Sequence, residues 1–130
     1  MLKNKIGKII IPAGVHPWPH ELRVAEILAE AGHKIEFIPT GNISTADIYL
    51  DGVEFEIKSP LTNKIDKIER NIKRALKQSC NVIIDSKRIK GLRDDKLLKI
   101  LTDRVRRQKQ IKRLILISKQ DKIIDVSKML

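Results

Sequence analysis

The chain has 130 residues, 42% of them apolar and only 3% aromatic. That is enough for one domain spanning 1–130, with a core of Ile, Leu, Val and Ala. Lys and Arg number 27 against 16 Asp and Glu, a net charge of +11, which concentrates polyanions at the surface and makes nucleic acid the leading partner. The single cysteine, Cys80, excludes an internal disulfide and reads as a small core filler. No stretch approaches the ~20 apolar residues of a membrane helix.

Residues 1–16 read as an N-terminal arm or edge strand, with a short strand or ordered segment over 8–11. The Ile9-Ile10-Ile11 run within it is too short for a signal core. The chemistry is therefore expected in the cytoplasm, although a domain carried by a larger exported protein would look the same. Pro19 opens a helix to about Ala31, stopped by Gly32. Residues 35–38 form a strand and 41–44 a loop. Residues 45–50 and 53–58 alternate as half-buried strands do, and Asp51-Gly52 between them is a strong hairpin signal. A helix over 61–79 carries Ile65, Ile68, Ile72, Ala75 and Leu76 at helical spacing. A strand over 82–85, a helix over 94 to about 110, a strand over 114–118 and a last, edge-compatible strand over 123–126 complete the chain. The order is α-β-β-β-α-β-α-β-β, a mixed α/β sheet with helices on its faces.

A two-residue loop fixes hairpin register. With Asp51 and Gly52 as that loop, Leu50 faces Val53, Tyr49 faces Glu54, Ile48 faces Phe55 and Asp47 faces Glu56. Ala46, Ile48, Leu50, Val53, Phe55 and Ile57 then share an apolar face, and Asp47, Tyr49, Glu54, Glu56 and Lys58 the other. Directly opposed Cβ atoms lie ~4.5–5.5 Å apart, where like charges are destabilising. A divalent cation between Asp47 and Glu56 reverses that sign, since Mg²⁺ is commonly held by one or two carboxylates with water and phosphate oxygens. Lys58, on the same face, could orient or deprotonate an attacking water or stabilise developing negative charge. The alternative is an ordinary solvated hairpin face.

On a wheel of ~100° per residue, Glu21 falls in the middle of the apolar arc formed by Leu22, Val24, Ala25, Ile27, Leu28, Ala29 and Ala31. Arg23, Glu26 and Glu30 fall on the opposite, solvated side. A carboxylate facing the core needs a partner, which a metal or a lysine would supply. Equally, an acid in the first turn suits the helix dipole.

Glu21, Asp47 and Glu56-Ile57-Lys58, followed by a helix and a strand, resemble the PD-(D/E)xK nuclease superfamily, with Ala46 where the motif has proline. The segments His20-Glu21, Ala46-Asp47-Ile48, Glu56-Ile57-Lys58, Gln78 and Asn81-Val82-Ile83-Ile84-Asp85 are similar to the C-terminal toxin domain of contact-dependent growth inhibition proteins. The resemblance implies a restriction-endonuclease-like α-β-β-β-α-β core. It also implies Glu21, Asp47 and Glu56 as ligands of Mg²⁺ or Mn²⁺, Lys58 as an aid to attack on phosphate, tRNA as substrate and a cognate immunity protein as partner. Gln78 becomes an auxiliary candidate, although its wheel position reads better as an ordinary boundary residue.

Lys67, Arg70, Arg74 and Lys77 make one stripe on the helix of 61–79, and Arg104, Arg106, Arg107 and Lys109 cluster on the next helix. Such charges grip phosphates without reading sequence, or are simply solvated. Trp18 and Tyr49 could stack on bases, and Trp18 could equally be a staple packing the helix start. His16, His20 and His33 have no zinc-ligand spacing, and no P-loop, G-x-G-x-x-G or G-x-S-x-G occurs. The expected activity is metal-dependent phosphodiester hydrolysis, of tRNA on the resemblance. A DNA endonuclease of resolvase or restriction type, and a non-catalytic basic binding module, remain as rivals.

Overall fold

The structure, a computed structural model, describes residues 6–41 and 45–129. Its centre is built from the most apolar runs, residues 82–84 and 114–117, which are buried on both faces as parallel strands require. In chain order the elements are β1 (Lys8–Ile10), α1 (Pro19–Glu30), β2 (Lys34–Phe37), β3 (Ile48–Leu50), β4 (Val53–Lys58), α2 (Ile65–Ala75), β5 (Asn81–Asp85), α3 (Asp94–Arg107), β6 (Arg113–Ile117) and β7 (Ile123–Asp125), followed by a 3₁₀ turn, Val126–Met129. The strands lie side by side in sequence order. β4, β5 and β6 are parallel, as are β1 and β2, and the remaining neighbours are antiparallel. The mixed α/β class expected from the sequence is thus present.

The pleat divides the core in two. Val24, Ala25 and Leu28 of α1 cover Ile35, Ile48, Phe55, Ile57 and Ile83 on one face. Ile68 and Ile72 of α2, with Leu97 and Leu101 of α3, cover Val82, Ile84, Leu114 and Leu116 on the other.

Several boundaries differ from expectation. The helix expected over 61–79 is limited to Ile65–Ala75. Ahead of it, Thr62 Oγ1 accepts the Lys64 N–H at 3.1 Å, a local bond that competes with helix formation. Ile65, expected in the apolar row, is exposed at the first turn, and Val53, expected on the apolar face, is exposed at the hairpin end. The third helix stops at Arg107 because Gln108 is extended. Of the loop expected over 41–44, residues 42–44 lie outside the described residues, as do 1–5 of the N-terminal arm.

The hairpin register is the one anticipated: Leu50 pairs with Val53, Tyr49 with Glu54 and Ile48 with Phe55. Asp51 at φ 50° and Gly52 at φ 84° give the two left-handed residues of a type I′ turn. Asp51 is held there because its carboxylate accepts the Lys34 N–H at 2.8 Å and meets His33 Nδ1 at 2.6 Å. A Cβ on Gly52 would meet no atom within 4 Å, so its replacement acts through backbone strain alone. Gly52→Val is expected to lower stability by about 1–3 kcal/mol, read as a shift in urea midpoint. An unchanged midpoint would show that the turn does not constrain the hairpin.

Candidate active site

Asp47 ends the β3 ladder with an irregularity. Its N–H donates to the Phe55 carbonyl at 3.1 Å, although the ladder sets Phe55 against Ile48. Two residues of one strand thus share one partner of the other, the arrangement of a β-bulge, which bends the strand and re-aims a side chain. The Asp47 carboxylate accepts the Ile57 N–H at 2.7 Å. The Asp47 carbonyl accepts the Ile38 N–H at 2.9 Å, so this residue ties β2, β3 and β4 together.

Glu56 stands beside it. Burial first, and the adjacent Asp47 carboxylate second, push the Glu56 carboxyl up to about 7, against the opposing pull of Lys58. Only 6% of Glu56 is exposed; its Oε1 is buried with no donor group against it, and the carboxyl can hydrogen-bond Asp47 only when one of the two acids carries a proton. The other oxygen, Oε2, lies 3.4 Å from Lys58 Nζ. The bulge displaces the direct Asp47–Glu56 pairing that the hairpin register predicts, yet the two carboxylates still meet, with Lys58 beside them.

Glu21 approaches from α1. Its Oε1 accepts the Trp18 N–H at 2.9 Å, the reciprocal bond of a helix N-terminal capping box. Burial raises its carboxyl above the ordinary value; the Trp18 N–H opposes this, and the charge of Asp47 adds to it. The acid thus takes the first-turn capping role that the sequence allows, and it stands near enough to Asp47 for the two charges to interact. Among the described residues, however, no three His, Cys, Asp or Glu side chains form a group that could hold a metal ion. Asp47 and Glu56 form a pair, and Glu21 flanks it without completing a three-ligand set. Two carboxylates with an unsatisfied buried oxygen still match Mg²⁺, which takes the rest of its shell from water and phosphate.

A cleft of about 420 Å³ opens over Glu21 and Asp47, walled by His16, Pro17, Trp18 and Phe37. Trp18 is 67% exposed at its rim, so it is not a staple closing the helix start. Tyr49 pairs with Glu36 and Glu54 in the sheet and does not line the cleft.

Arg23, expected on the solvated face of α1, is instead a clamp. It bonds Asp85 Oδ1 and Asp121 Oδ1, both at 2.5 Å, and Asp85 is fully buried at the end of β5. Ser59 Oγ and the Lys87 N–H complete the shell of Asp85. An acid closing a buried apolar strand signals a needed partner, but nothing in the sequence designates Arg23 as that partner.

The family described as the contact-dependent growth inhibition CdiA C-terminal domain matches residues 44–123, more than half of the 130 residues. The chain belongs to that family. The matched span holds Asp47, Glu56 and Lys58 and begins after Glu21. A chain of the CdiA-CT/CdiI toxin and immunity complex from Burkholderia pseudomallei has the same fold, with a TM-score of 0.70 and 16% identity over 92% of this chain and 98% of that one. No curated protein matches. None of the described helices is long and apolar enough to cross a membrane.

In this CdiA C-terminal toxin domain, Lys67, Arg70 and Arg74 of α2 and Lys77 just beyond it are exposed, as the stripe predicts. Arg104 and Arg107 are placed differently. Arg104 meets Glu69 at 2.7 Å, and Arg107 meets Glu69 at 3.1 Å and Asp103 at 2.8 Å. The two Glu69 pairs join α3 to α2, and with the Arg107–Asp103 pair within α3 they partly neutralise charge expected to face phosphates. Gln78 is half-buried in the turn after α2, its N–H on the Ala75 carbonyl at 2.9 Å.

The raised Glu56 value has a stability consequence. The folded chain holds this proton more tightly than the unfolded chain, where the value is near 4.5. Its contribution is therefore full below pH 4.5 and is lost as pH rises through about 7. In EDTA, the native protein should lose stability between pH 5 and pH 8 relative to Glu56→Gln, measured as paired urea midpoints. Parallel curves for the two proteins would contradict the assignment.

Proposed function

We propose that this domain is a metal-dependent nuclease of the PD-(D/E)xK type that hydrolyses phosphodiester bonds in RNA, with tRNA the favoured substrate on the family resemblance. The reading is carried by one observation: Glu56 Oε1 is buried without a partner beside a second carboxylate, with Lys58 3.4 Å from the other oxygen. A buried acid pair of this kind is unfavourable unless a proton or a cation neutralises it.

Asp47 and Glu56 would hold Mg²⁺ or Mn²⁺, with Glu21 on the flank. When bound, the metal would supply Lewis-acid polarisation of the phosphate and a more acidic water. The chain's own groups do the rest. Lys58 presents an ammonium at the pair, where it orients the attacking water and offsets charge building on the phosphate. The Ile57 N–H fixes the Asp47 carboxylate, so the acid does not need to reorganise during reaction. Lys67, Arg70, Arg74 and Lys77 grip the backbone phosphates of a long substrate without reading its bases. Action on RNA places the chemistry in the cytoplasm. The likeness to a toxin and immunity complex supports a cognate immunity protein that restrains this activity.

Incubation with tRNA and, separately, plasmid DNA, each with Mg²⁺ or with EDTA, tests the reading. The expected result is tRNA cleavage with Mg²⁺ only, lowered roughly 10²-fold or more in Glu56→Gln and Lys58→Ala. Cleavage that survives EDTA would overturn the metal, and cleavage that survives both substitutions would overturn the site. Plasmid cut in place of tRNA would make the domain a DNA endonuclease. Binding without any cleavage would make it a nucleic-acid-binding module.

A further inference from the structure

An exposed tryptophan at the mouth of a cleft leaves a large flat apolar face unburied, where burial would be favourable. Trp18 is such a residue, and its backbone is held firmly. It lies between Pro17 and Pro19, at φ −67° and ψ 152°. Its N–H bonds Glu21, and its carbonyl accepts the Leu22 N–H at 3.0 Å. A ring rooted in this way loses little freedom when a ligand covers it.

The cleft itself restricts what that ligand can be. Glu21 and Asp47 line it, so a phosphate is repelled there unless a cation intervenes. Groups with N–H edges and a flat face are favoured: the carboxylates accept hydrogen bonds and the indole accepts a stacked ring. A nucleobase has both features, and about 420 Å³ lies within the range that accommodates small organic groups. A base inside a duplex offers no free face, so the occupant must be unpaired or extruded.

Building on the nuclease reading, we propose that Trp18 is a stacking platform for one unpaired base next to the cleaved phosphate. The domain then selects looped or single-stranded RNA over continuous duplex. The base lies on Trp18, and its phosphate reaches Asp47, Glu56 and Lys58.

Trp18 is the only tryptophan in the chain, so its fluorescence reports this site alone. Glu56→Gln protein with Mg²⁺, in which cleavage should be slow, is titrated with a single-stranded oligoribonucleotide, its duplex, and inorganic polyphosphate, which has charge but no bases. Labelled-RNA anisotropy is recorded in parallel. Single-stranded RNA should quench the fluorescence, while duplex and polyphosphate should not. Trp18→Ala should weaken single-strand binding roughly five- to hundredfold, and Trp18→Phe should retain most of it. Equal quenching by duplex, or RNA binding that leaves the fluorescence unmoved, would overturn the platform; the latter is the result expected if Trp18 serves a protein partner instead. Base-dependent quenching with no cleavage by the unaltered protein would remove the hydrolytic reading while leaving the stacking site in place.

Discussion

Two carboxylates, Asp47 and Glu56, are pressed together where one of them is almost wholly removed from water. Each effect raises the free energy of the charged pair: desolvation acts on Glu56, and repulsion acts on both. A fold does not retain such a pair unless surrounding structure fixes it. Here the constraints come from the backbone. The left-handed turn at Asp51 and Gly52 sets the register, the shared Phe55 carbonyl bends β3 at Asp47, and the Ile57 N–H holds the Asp47 carboxylate. The parallel pairing of Glu56 with Val82 and Lys58 with Ile84 anchors the other strand to the apolar centre of the sheet.

The first helix is brought to this pair by a separate interaction at the far side of the same sheet end. Arg23 reaches Asp85 beneath α1, and Asp85 has no exposed surface. Leaving the buried Asp85 charge unpaired would cost about 3–5 kcal/mol, so the helix has little freedom to roll. Glu21 precedes Arg23 by two residues and therefore turns to a different side of the helix, toward Asp47. Burial of Val24, Ala25 and Leu28 against the sheet sets the helix's distance from it. The ion pair sets its rotation, and together they determine how near Glu21 comes.

How much of this was legible in sequence depends on how local the cause is. The hairpin register from Ile48–Phe55 to the turn follows from two adjacent residues, Asp51 and Gly52, and is legible; the further pairing of Asp47 with Glu56 is displaced by the bulge. Strand periodicity is written residue by residue, so the apolar hairpin face of Ile48, Leu50, Phe55 and Ile57 is legible, while the exposure of Val53 and the burial of Glu56 are not. The β-bulge is not legible in the sequence: the Asp47 N–H goes to the Phe55 carbonyl while its own carbonyl is taken by the Ile38 N–H, bonds between segments that no local pattern links. Arg23 was assigned to solvent for the same reason, since its acids are 62 and 98 residues away. Helix ends were overextended where Thr62 offered a local bond that the apolar spacing does not register. Arg104 and Arg107 counted toward a basic surface until the position of Glu69 was known.

The charge distribution links these pieces. A net +11 draws polyanions to the molecule at long range, with the effect screened beyond about 8–10 Å at physiological salt. Within that distance the local field at the hairpin is the opposite, because Glu21, Asp47 and Glu56 lie close together. On the proposed nuclease reading, a phosphate attracted by Lys67, Arg70, Arg74 and Lys77 would meet a barrier at the acid pair unless positive charge is present there. Lys58 is one such charge, but it already offsets Glu56 at 3.4 Å. Asp47 and Glu56 against one ammonium leave a charge imbalance that a proton or a divalent cation would offset, most concentrated at the buried Glu56 Oε1.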